Sequence, residues 1–341
     1  MEAQHESTAI CEEDIRPAKL MADKDRCVAA DREFLLARKS QWVQVACPAC
    51  GCRKAKPYGE KAGFAYEECR DCGTIYTNPR PSLALSHEFY AHSQNYAYWN
   101  AHVFPATEEA RRERIFRPRA ARVAEYCRRF GLKGGVLLEV GAAFGTFCEA
   151  MREQGVCKEI IALEPTPDLA QTCRDRGLKV LECFVEEIEA ADLADVVAAF
   201  EVIEHLFAPR DFIASCTRLL KPGGIVVLSC PNVRGFDVAT LGVASGTFDH
   251  EHVNYFHPAS LALLVERCGL TVLDVQTPGQ LDADLVRKRA LAGDLDLNHQ
   301  PFLHEILIDR WSELGQPFQE FLAAHQLSSH LWIVAQKPPA S

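Results

Sequence analysis

Features common in membrane, secreted and nucleic-acid-binding proteins are missing from this 341-residue sequence. No uninterrupted apolar run reaches the roughly 18 residues that a membrane-spanning helix needs. Residues 1–24 are acidic and polar and lack the apolar core of a signal peptide. Basic residues are also outnumbered, since 37 Lys and Arg against 47 Asp and Glu give a net charge of −10 at pH 7. That charge disfavours a large electrostatic contact with nucleic acid or an anionic membrane. We therefore expect a cytoplasmic protein that acts on a small molecule.

A disulfide framework is not indicated either, because the 15 cysteines are odd in number and scattered through predicted helices and strands. Four of them stand apart. Cys47 and Cys50 form one Cys-x-x-Cys pair, Cys69 and Cys72 form another, and each pair is followed by glycine. This spacing predicts a structural Zn²⁺ ribbon, since four thiolates leave no open coordination position for catalysis. Four unligated cysteines, or a redox pair, are the alternatives, and we interpret Cys52 as a bystander.

The remaining chain divides by composition. Residues 1–40 have apolar positions too sparse for a core and predict a helical or partly disordered extension. Residues 41–82 form the predicted zinc ribbon, and residues 83–130 an aromatic-rich linker and a helix over the mouth of the active site. Residues 131–341 form the main domain, with a helical insertion at about residues 281–327. In the main domain apolar strands alternate with helices, which predicts an α/β fold with a parallel sheet covered by helices on both faces.

The first of these strands ends in a glycine-rich turn at residues 136–147, Val-Leu-Leu-Glu-Val-Gly-Ala-Ala-Phe-Gly-Thr-Phe. A dinucleotide-binding Gly-x-Gly-x-x-Gly is missing. The order is instead Glu139-x-Gly141-x-Ala143-x-Gly145, and a carboxylate at this place repels a pyrophosphate but attracts a sulfonium and an α-ammonium. The stretch resembles motif I of the class I S-adenosylmethionine-dependent methyltransferases, with Ala143 in place of the middle glycine. The resemblance implies a Rossmann-like, seven-stranded, mostly parallel sheet and S-adenosylmethionine as cofactor.

Further strand ends extend this resemblance. Glu164 ends the second strand 25 residues after Glu139, where a carboxylate can accept both hydroxyls of a ribose, and it resembles motif II. In the same family, residues just past the third strand lie against the adenine ring, which here implies Phe184 and Val185. Phe200 and Glu201, at the end of the fourth strand, are likewise implied to border the cofactor.

Two histidine-containing segments are the candidates for the chemistry. The first, Glu201-Val-Ile-Glu204-His205, resembles motif IV, and we expect Glu204 and His205 to begin the next helix. His205 is either a base or, as the resemblance to much of this subfamily implies, a structural residue. The second, residues 248–258, contains three histidines and two acidic residues, and Glu251 and His252 are among them. A His-x-His metal site is one interpretation of this loop. A general base at His252, oriented by Glu251 or another carboxylate, is the other.

The second segment resembles the Glu-His-x-x-Tyr-Phe loop of zinc-bearing sugar C-methyltransferases. That resemblance implies Glu251 and His252 as a catalytic pair, with His205 and Tyr90 near the acceptor. The resemblance ends near residue 273, because the sugar C-methyltransferases continue with a further large C-terminal domain. We therefore predict a methyltransferase acting on a sugar or nucleotide-sugar, at carbon or oxygen. A non-catalytic S-adenosylmethionine-binding scaffold is the alternative, favoured only by Ala143. A dehydrogenase and a zinc-dependent nucleic-acid binder are disfavoured by the glycine spacing and by the balanced charge of the ribbon.

Overall fold

The computed structural model describes residues 12–339. The described part of the chain begins with two helices, α1 (Glu12–Ile15) and α2 (Ala18–Leu36). We expected this region to have too few apolar residues for a core. Leu35 is nevertheless only 1% exposed and packs with residues of the ribbon and of the histidine loop, residues 248–258. The spacing of apolar residues along one helix does not reveal that a single face has a partner elsewhere in the chain. The prediction for residues 1–11 lies outside the described residues.

The ribbon consists of five short strands. They are β1 (Trp42–Val43), β2 (Ala55–Lys61), β3 (Phe64–Cys69), β4 (Ile75–Thr77) and β5 (Arg80–Pro81). Strands β2, β3 and β4 form an antiparallel sheet, and β1 pairs with β5. The buried cysteines Cys47 and Cys69, together with Tyr76, belong to the same apolar cluster as one face of the main sheet. The ribbon is therefore packed onto the main domain.

The linker is almost entirely helical. Its elements are α3 (Leu83–His92), α4 (Gln94–Tyr98), α5 (Phe104–Arg111) and α6 (Arg117–Arg129), with π-helical turns at Trp99–Val103 and Arg112–Phe116. Helix α6 packs Ala120, Val123 and Cys127 against the main sheet. This placement agrees with the helical spacing of apolar residues just before the first main strand.

The main sheet has seven strands and confirms the predicted architecture. In chain order they are β6 (Gly135–Val140), β7 (Cys157–Leu163), β8 (Lys179–Leu181), β9 (Ala194–Phe200), β10 (Leu220–Pro231), β12 (Thr271–Gln276) and β13 (His330–Gln336); β11 (Asn254–Tyr255) lies outside this sheet. Their spatial order is β12-β13-β10-β9-β6-β7-β8. Strand β13 runs antiparallel to β10 and β12, and the other neighbours are parallel. The carboxyl ends of the parallel strands therefore meet at one edge, where a ligand can bind.

Helices cover both faces of this sheet. In chain order, the helices that follow β6 are α7 (Thr146–Gln154), α8 (Pro167–Asp175), α9 (Pro209–Leu219), α10 (Phe236–Leu241), α11 (Pro258–Arg267), α12 (Asp282–Leu291), α13 (Pro301–His304) and α14 (Trp311–Ala324). Alternate residues of β6 separate the two apolar layers: Leu137 packs with α6 and α7, and Leu138 packs with α9 and α11. Helices α12, α13 and α14, in the region where the sequence predicts a helical insertion, pack around their own small core.

One local feature differs from expectation. Glu204 and His205 do not begin a helix, because α9 starts only at Pro209. Proline is well suited to a first helical position and disfavours helical geometry in the residue before it, which delays the start. No helix within residues 12–339 is both long and apolar enough to span a membrane.

Candidate functional site

The glycine-rich turn between β6 and α7 has the backbone geometry that its sequence indicates. Gly141 and Gly145 adopt left-handed φ angles of 75° and 72°. A Cβ at Gly141 would lie 2.8 Å from a Val202 methyl group and one at Gly145 would lie 2.5 Å from a Leu178 methyl group, so a side chain would require those groups to shift in addition to the strained φ. Ala143 has a φ of 47°, a conformation in which glycine is normally favoured. The turn keeps its shape at the one position that departs from the motif.

Glu139 lies beneath this turn and is only 4% exposed. The Cys148 thiol donates a hydrogen bond of 3.0 Å to its Oε2 atom. Burial raises the pKa of the Glu139 carboxyl to about 8, against the opposing effects of Cys148 and Arg119. A nearby positive charge would favour the ionised form, so this side chain is suited to a cationic ligand.

Glu164, at the end of β7, is fixed against the same turn. Its Oε2 accepts a hydrogen bond from the Ala143 amide at 2.8 Å, and its Oε1 accepts one from the Thr166 amide at 2.9 Å. Burial raises the pKa of Glu164, and these hydrogen bonds oppose the rise. Each carboxylate oxygen retains a lone pair that can accept a ligand hydroxyl.

The predicted adenine-side residues lie in different environments. Phe184 is 49% exposed, and its ring stacks on His87 of α3 with centroids 5.7 Å apart. Val185 is buried in the core. Phe200 packs edge-on against Phe147 with ring centroids 4.7 Å apart. His87 has no sequence signal that would have pointed to it, because it lies in the linker far from the motifs.

Arg119 of α6 is a charged residue that the sequence interpretation missed. Its guanidinium carbon lies 4.6 Å from the centroid of the Phe200 ring, and no described carboxylate forms a salt bridge with it. Burial lowers the pKa of Arg119, while Glu201 and Glu139 oppose the shift. Glu201 itself has a left-handed φ of 55° and accepts a 2.6 Å hydrogen bond from the Ser229 hydroxyl. An unpaired guanidinium beside acidic residues suits a ligand that carries charges of both signs.

The histidine loop places Asp249, not Glu251, against the His252 ring. His252 Nδ1 lies 2.9 Å from the Thr247 carbonyl oxygen and 3.4 Å from Asp249 Oδ2. Asp249 also accepts the backbone N–H groups of Glu251 and His252. Burial opposes a charge on the imidazole, but Asp249 and Glu204 outweigh it and raise the pKa of His252 to about 9.

Glu204 and His205 complete this part of the site. Glu204 is 1% exposed, and neither of its carboxylate oxygens has a hydrogen-bond partner among the described residues. Burial raises its pKa well above the usual range. The ring of His205 lies 4.7 Å from that of His252, and burial together with His252 lowers the pKa of His205 to about 3. Ligand atoms of Glu204, His205 and His252 lie within 4.8 Å of one another, so these three residues could also hold a divalent cation.

The linker contributes aromatic side chains to the same region. The Tyr90 ring lies edge-on to His205 with centroids 6.4 Å apart, and it also contacts the Tyr96 ring. The Tyr90 hydroxyl lies 3.5 Å from the Glu251 carbonyl oxygen. The structure therefore places Tyr90, which the resemblance indicated, beside the two histidine segments.

The ribbon holds the histidine loop in place. Strand β11 pairs with β4 and becomes the fourth strand of the ribbon sheet. Within it, the Asn254 side-chain oxygen accepts a 3.0 Å hydrogen bond from the buried Arg80. The Asn254 amide nitrogen donates to the carbonyl oxygens of Ile203 and Leu206, in the segment that carries His205. This connection was not apparent from the sequence, because β11 is only two residues long.

The four predicted zinc ligands converge. The sulfur atoms of Cys47 and Cys72 are 3.4 Å apart, those of Cys50 and Cys69 are 3.5 Å apart, and all four lie within 4.8 Å of one another. Four thiolates around one point suit tetrahedral Zn²⁺. Cys52 is not in this group; its sulfur accepts the Lys54 amide instead.

Comparison with known proteins adds a family assignment. Residues 108–275 match the family model described as "Methyltransferase domain". This range contains every predicted cofactor-side and catalytic residue, but not the ribbon cysteines.

Curated relatives carry the name ubiquinone biosynthesis O-methyltransferase. The protein from Paracidovorax citrulli is 31% identical over 191 residues, covering 49% of this chain and 76% of the relative. The protein from Xylella fastidiosa strain M23 is 30% identical over 167 residues, and the chain spans 65% of its length. Among solved structures, the Burkholderia thailandensis 1,6-didemethyltoxoflavin-N1-methyltransferase is 16% identical with a TM-score of 0.42, covering 83% of this chain and 100% of that protein.

Proposed function

Because the chain belongs to the class I S-adenosylmethionine-dependent methyltransferases, we propose that it methylates a small-molecule acceptor held between the glycine-rich turn and the histidine loop. The observation that carries this proposal is the convergence of both segments at the carboxyl edge of the main sheet. Bound S-adenosylmethionine supplies an electrophilic methyl group on a sulfonium. The protein positions the acceptor in line with that methyl group, excludes water and removes a proton.

We assign the cofactor contacts by charge. Glu139 takes the α-ammonium, because its carboxyl is buried under the glycine-rich turn and is stabilised as an anion by a cation. Arg119 takes the carboxylate of the methionine part, since its half-buried guanidinium has no salt-bridge partner among the described residues. Glu164 accepts the ribose hydroxyls. Phe184 and Val185 border the adenine, and Phe200 and Glu201 lie near the sulfonium.

His252 is our candidate for the general base. In its neutral form Nδ1–H donates to the Thr247 carbonyl oxygen, which leaves Nε2 to accept the proton of the acceptor. With a pKa of about 9, the ring is charged at neutral pH in the free protein. The positive sulfonium would lower this pKa and release the ring for base catalysis. Asp249 orients the imidazole, and Glu251 acts indirectly through the backbone of the loop.

The acceptor class follows from two separate likenesses. The loop at Glu251 and His252 and the four-cysteine ribbon resemble the sugar C-methyltransferases, which favours a sugar or nucleotide-linked sugar. The curated relatives are named as O-methyltransferases, which favours transfer to a hydroxyl. We therefore propose a sugar hydroxyl as the first acceptor class to screen. Phenolic acceptors form the comparison set.

We also propose that Cys47, Cys50, Cys69 and Cys72 bind a structural Zn²⁺. The sulfur separations fit the donor geometry of a four-thiolate site, and the glycines after Cys50 and Cys72 both adopt left-handed φ angles. Such a site would stabilise the ribbon that holds β11 and, through it, the histidine loop.

The first experiment is calorimetric titration with S-adenosylmethionine, run in parallel on the Glu139→Ala variant. Micromolar binding that the variant loses would support the assigned cofactor site, as expected for loss of the ammonium partner. Absence of binding by folded wild-type protein would overturn the proposal.

The role of His252 is tested next, with His205→Ala as the matched variant. If His252 is the base, His252→Ala lowers kcat by about 10²–10⁴-fold, and His205→Ala has a smaller effect. At saturating cofactor, wild-type kcat/KM for the acceptor rises with pH and levels off at or below about pH 9, because only the neutral ring accepts a proton. If Glu204, His205 and His252 instead hold a cation that orients the acceptor, both variants lose activity equally and the wild-type rate depends on added Mg²⁺ or Mn²⁺.

A further inference from the structure

His250 is a buried histidine for which the proposed reaction has no use. It is 5% exposed, and neither ring nitrogen has a hydrogen-bond partner among the described residues. Its Nε2 atom lies 3.8 Å from Asp31 Oδ2 and 3.7 Å from Glu251 Oε1. A buried polar group without a partner is costly, so this arrangement indicates that something interacts with the imidazole between the two carboxylates.

The two carboxylates are themselves held in place by other residues. Asp31 accepts hydrogen bonds from the Ser93 hydroxyl at 2.6 Å, the Gln94 amide at 2.8 Å and the Asn95 amide at 2.9 Å. Glu251 accepts one from the Asn95 side chain at 2.7 Å. Hydrogen bonds that fix ligand carboxylates in this way are typical of the outer shell of a metal site.

The distances around His250 are too long for hydrogen bonds but suit shared ligands of one cation. Nitrogen and oxygen ligands about 2.0–2.2 Å from a tetrahedral Zn²⁺ lie roughly 3.3–3.6 Å from each other. The three candidate ligand atoms all lie within 4.8 Å of one another. A modest contraction would bring them into coordination range. One imidazole and two carboxylates form a donor set that Zn²⁺, Mn²⁺ and Fe²⁺ accept.

We propose that Asp31, His250 and Glu251 bind a divalent first-row transition-metal cation. This site is separate from the four-cysteine cluster and from the group formed by Glu204, His205 and His252. It would join helix α2 and the start of α4 to the histidine loop, immediately before His252. The cation would position the loop and would not contact the reacting atoms.

The test uses full-length protein with zinc retained in the ribbon. Mn²⁺ is added, because thiolates are poor ligands for it, and bound Mn²⁺ is measured from the loss of the free-ion electron paramagnetic resonance signal. Wild-type protein should bind about one equivalent that Asp31→Asn and His250→Ala both lose, with a matching loss of the metal-induced rise in Tm. His205→Ala is the control and should keep this equivalent.

Asp31→Asn preserves side-chain shape, so it tests the site even if His250→Ala fails to fold. Unchanged Mn²⁺ binding in folded Asp31→Asn protein would overturn the proposal. So would wild-type protein that binds neither Mn²⁺ nor Zn²⁺ beyond the ribbon.

Discussion

At the scale of single residues, Glu139 and Arg119 have opposite charges in their ionised forms and interact electrostatically. Glu139 is buried and Arg119 is half-buried, and burial works against the ionised form of each. A zwitterionic ligand resolves both penalties together, because its ammonium and carboxylate each meet a group of opposite sign. The two residues make separate predictions.

Binding of S-adenosylmethionine should release a proton at neutral pH. Glu139, with a pKa of about 8, is mostly protonated in the free protein at pH 7 and must ionise to hold the ammonium. Affinity should therefore rise about tenfold per pH unit between about pH 5.5 and pH 7.5. Calorimetry in buffers of different ionisation enthalpy measures the released proton. Glu139→Gln should abolish the release; wild-type binding that is independent of pH would contradict the assignment.

Arg119→Met should weaken binding of S-adenosylhomocysteine by about 10–100-fold, as loss of a charge-assisted bidentate contact would. Binding of 5′-methylthioadenosine, which has no carboxylate, should not change. Arg122→Met is the matched control on the same helix, because Arg122 lies over Trp332 and bonds to Gln276 instead. Equal losses for both ligands would show that Arg119 acts on the fold and not on the carboxylate.

At the scale of elements, the ribbon and the histidine loop form one unit. Strand β11 begins two residues after His252 and completes the ribbon sheet, and the backbone amide of Thr77 in β4 donates to the Val253 carbonyl oxygen. The glycine-rich turn, where we propose that the cofactor binds, lies in a different part of the chain and depends on β6 and β7. Damage to the ribbon should therefore affect the acceptor side of the site more than the cofactor side.

Cys50→Ser should release zinc and reduce methyl transfer, while the affinity for S-adenosylmethionine stays within a few-fold of wild type. Cys52→Ser is the control, because the Cys52 sulfur lies outside the four-thiolate group. Zinc content and kcat are measured on the same samples. An active, zinc-free Cys50→Ser protein would show that the loop does not depend on the ribbon metal.

The Asn254 side chain makes the most specific contact between these elements. Asn254→Ala leaves the buried Arg80 without this acceptor and the carbonyl oxygens of Ile203 and Leu206 without this donor, which should cost about 2–4 kcal/mol of unfolding free energy. Asn254→Asp keeps the acceptor for Arg80 and should cost less in urea unfolding. Equal stability of wild type and Asn254→Ala would contradict this account of the contact.

At the scale of the whole molecule, the N-terminal helix α2 is part of the domain that contains the site. Leu35 lies in one apolar cluster with Phe64 and Tyr66 of the ribbon and Phe248 and Tyr255 of the loop. Asp31, one turn earlier, anchors the start of α4. Three segments that are distant in sequence therefore share a single small core.

Leu35→Ala should lower the free energy of unfolding by about 2–5 kcal/mol, as truncation of a fully buried leucine does. Leu20→Ala, on the same helix but only half-buried, should cost less. Chemical unfolding followed by fluorescence gives both values. A negligible effect of Leu35→Ala would show that α2 is not held by this cluster.

The sequence by itself determined the main sheet, the cofactor turn and the four zinc candidates. These features depend on local patterns: Ala194–Phe200 and His330–Gln336 are apolar runs of strand length, and Gly141 and Gly145 occupy turn positions with left-handed φ angles that favour glycine. The two Cys-x-x-Cys pairs are equally local, since each forms within one tight turn.

Only the tertiary structure decided which polar residues meet. Asp249 rather than Glu251 contacts His252, Arg119 lies beside the cofactor-side acids, and Asp31 reaches the loop at His250. The pairing of β11 with β4 likewise joins segments that are far apart in the chain. Such contacts depend on how helices and strands pack across long separations, and no spacing within a single segment encodes the partner on another.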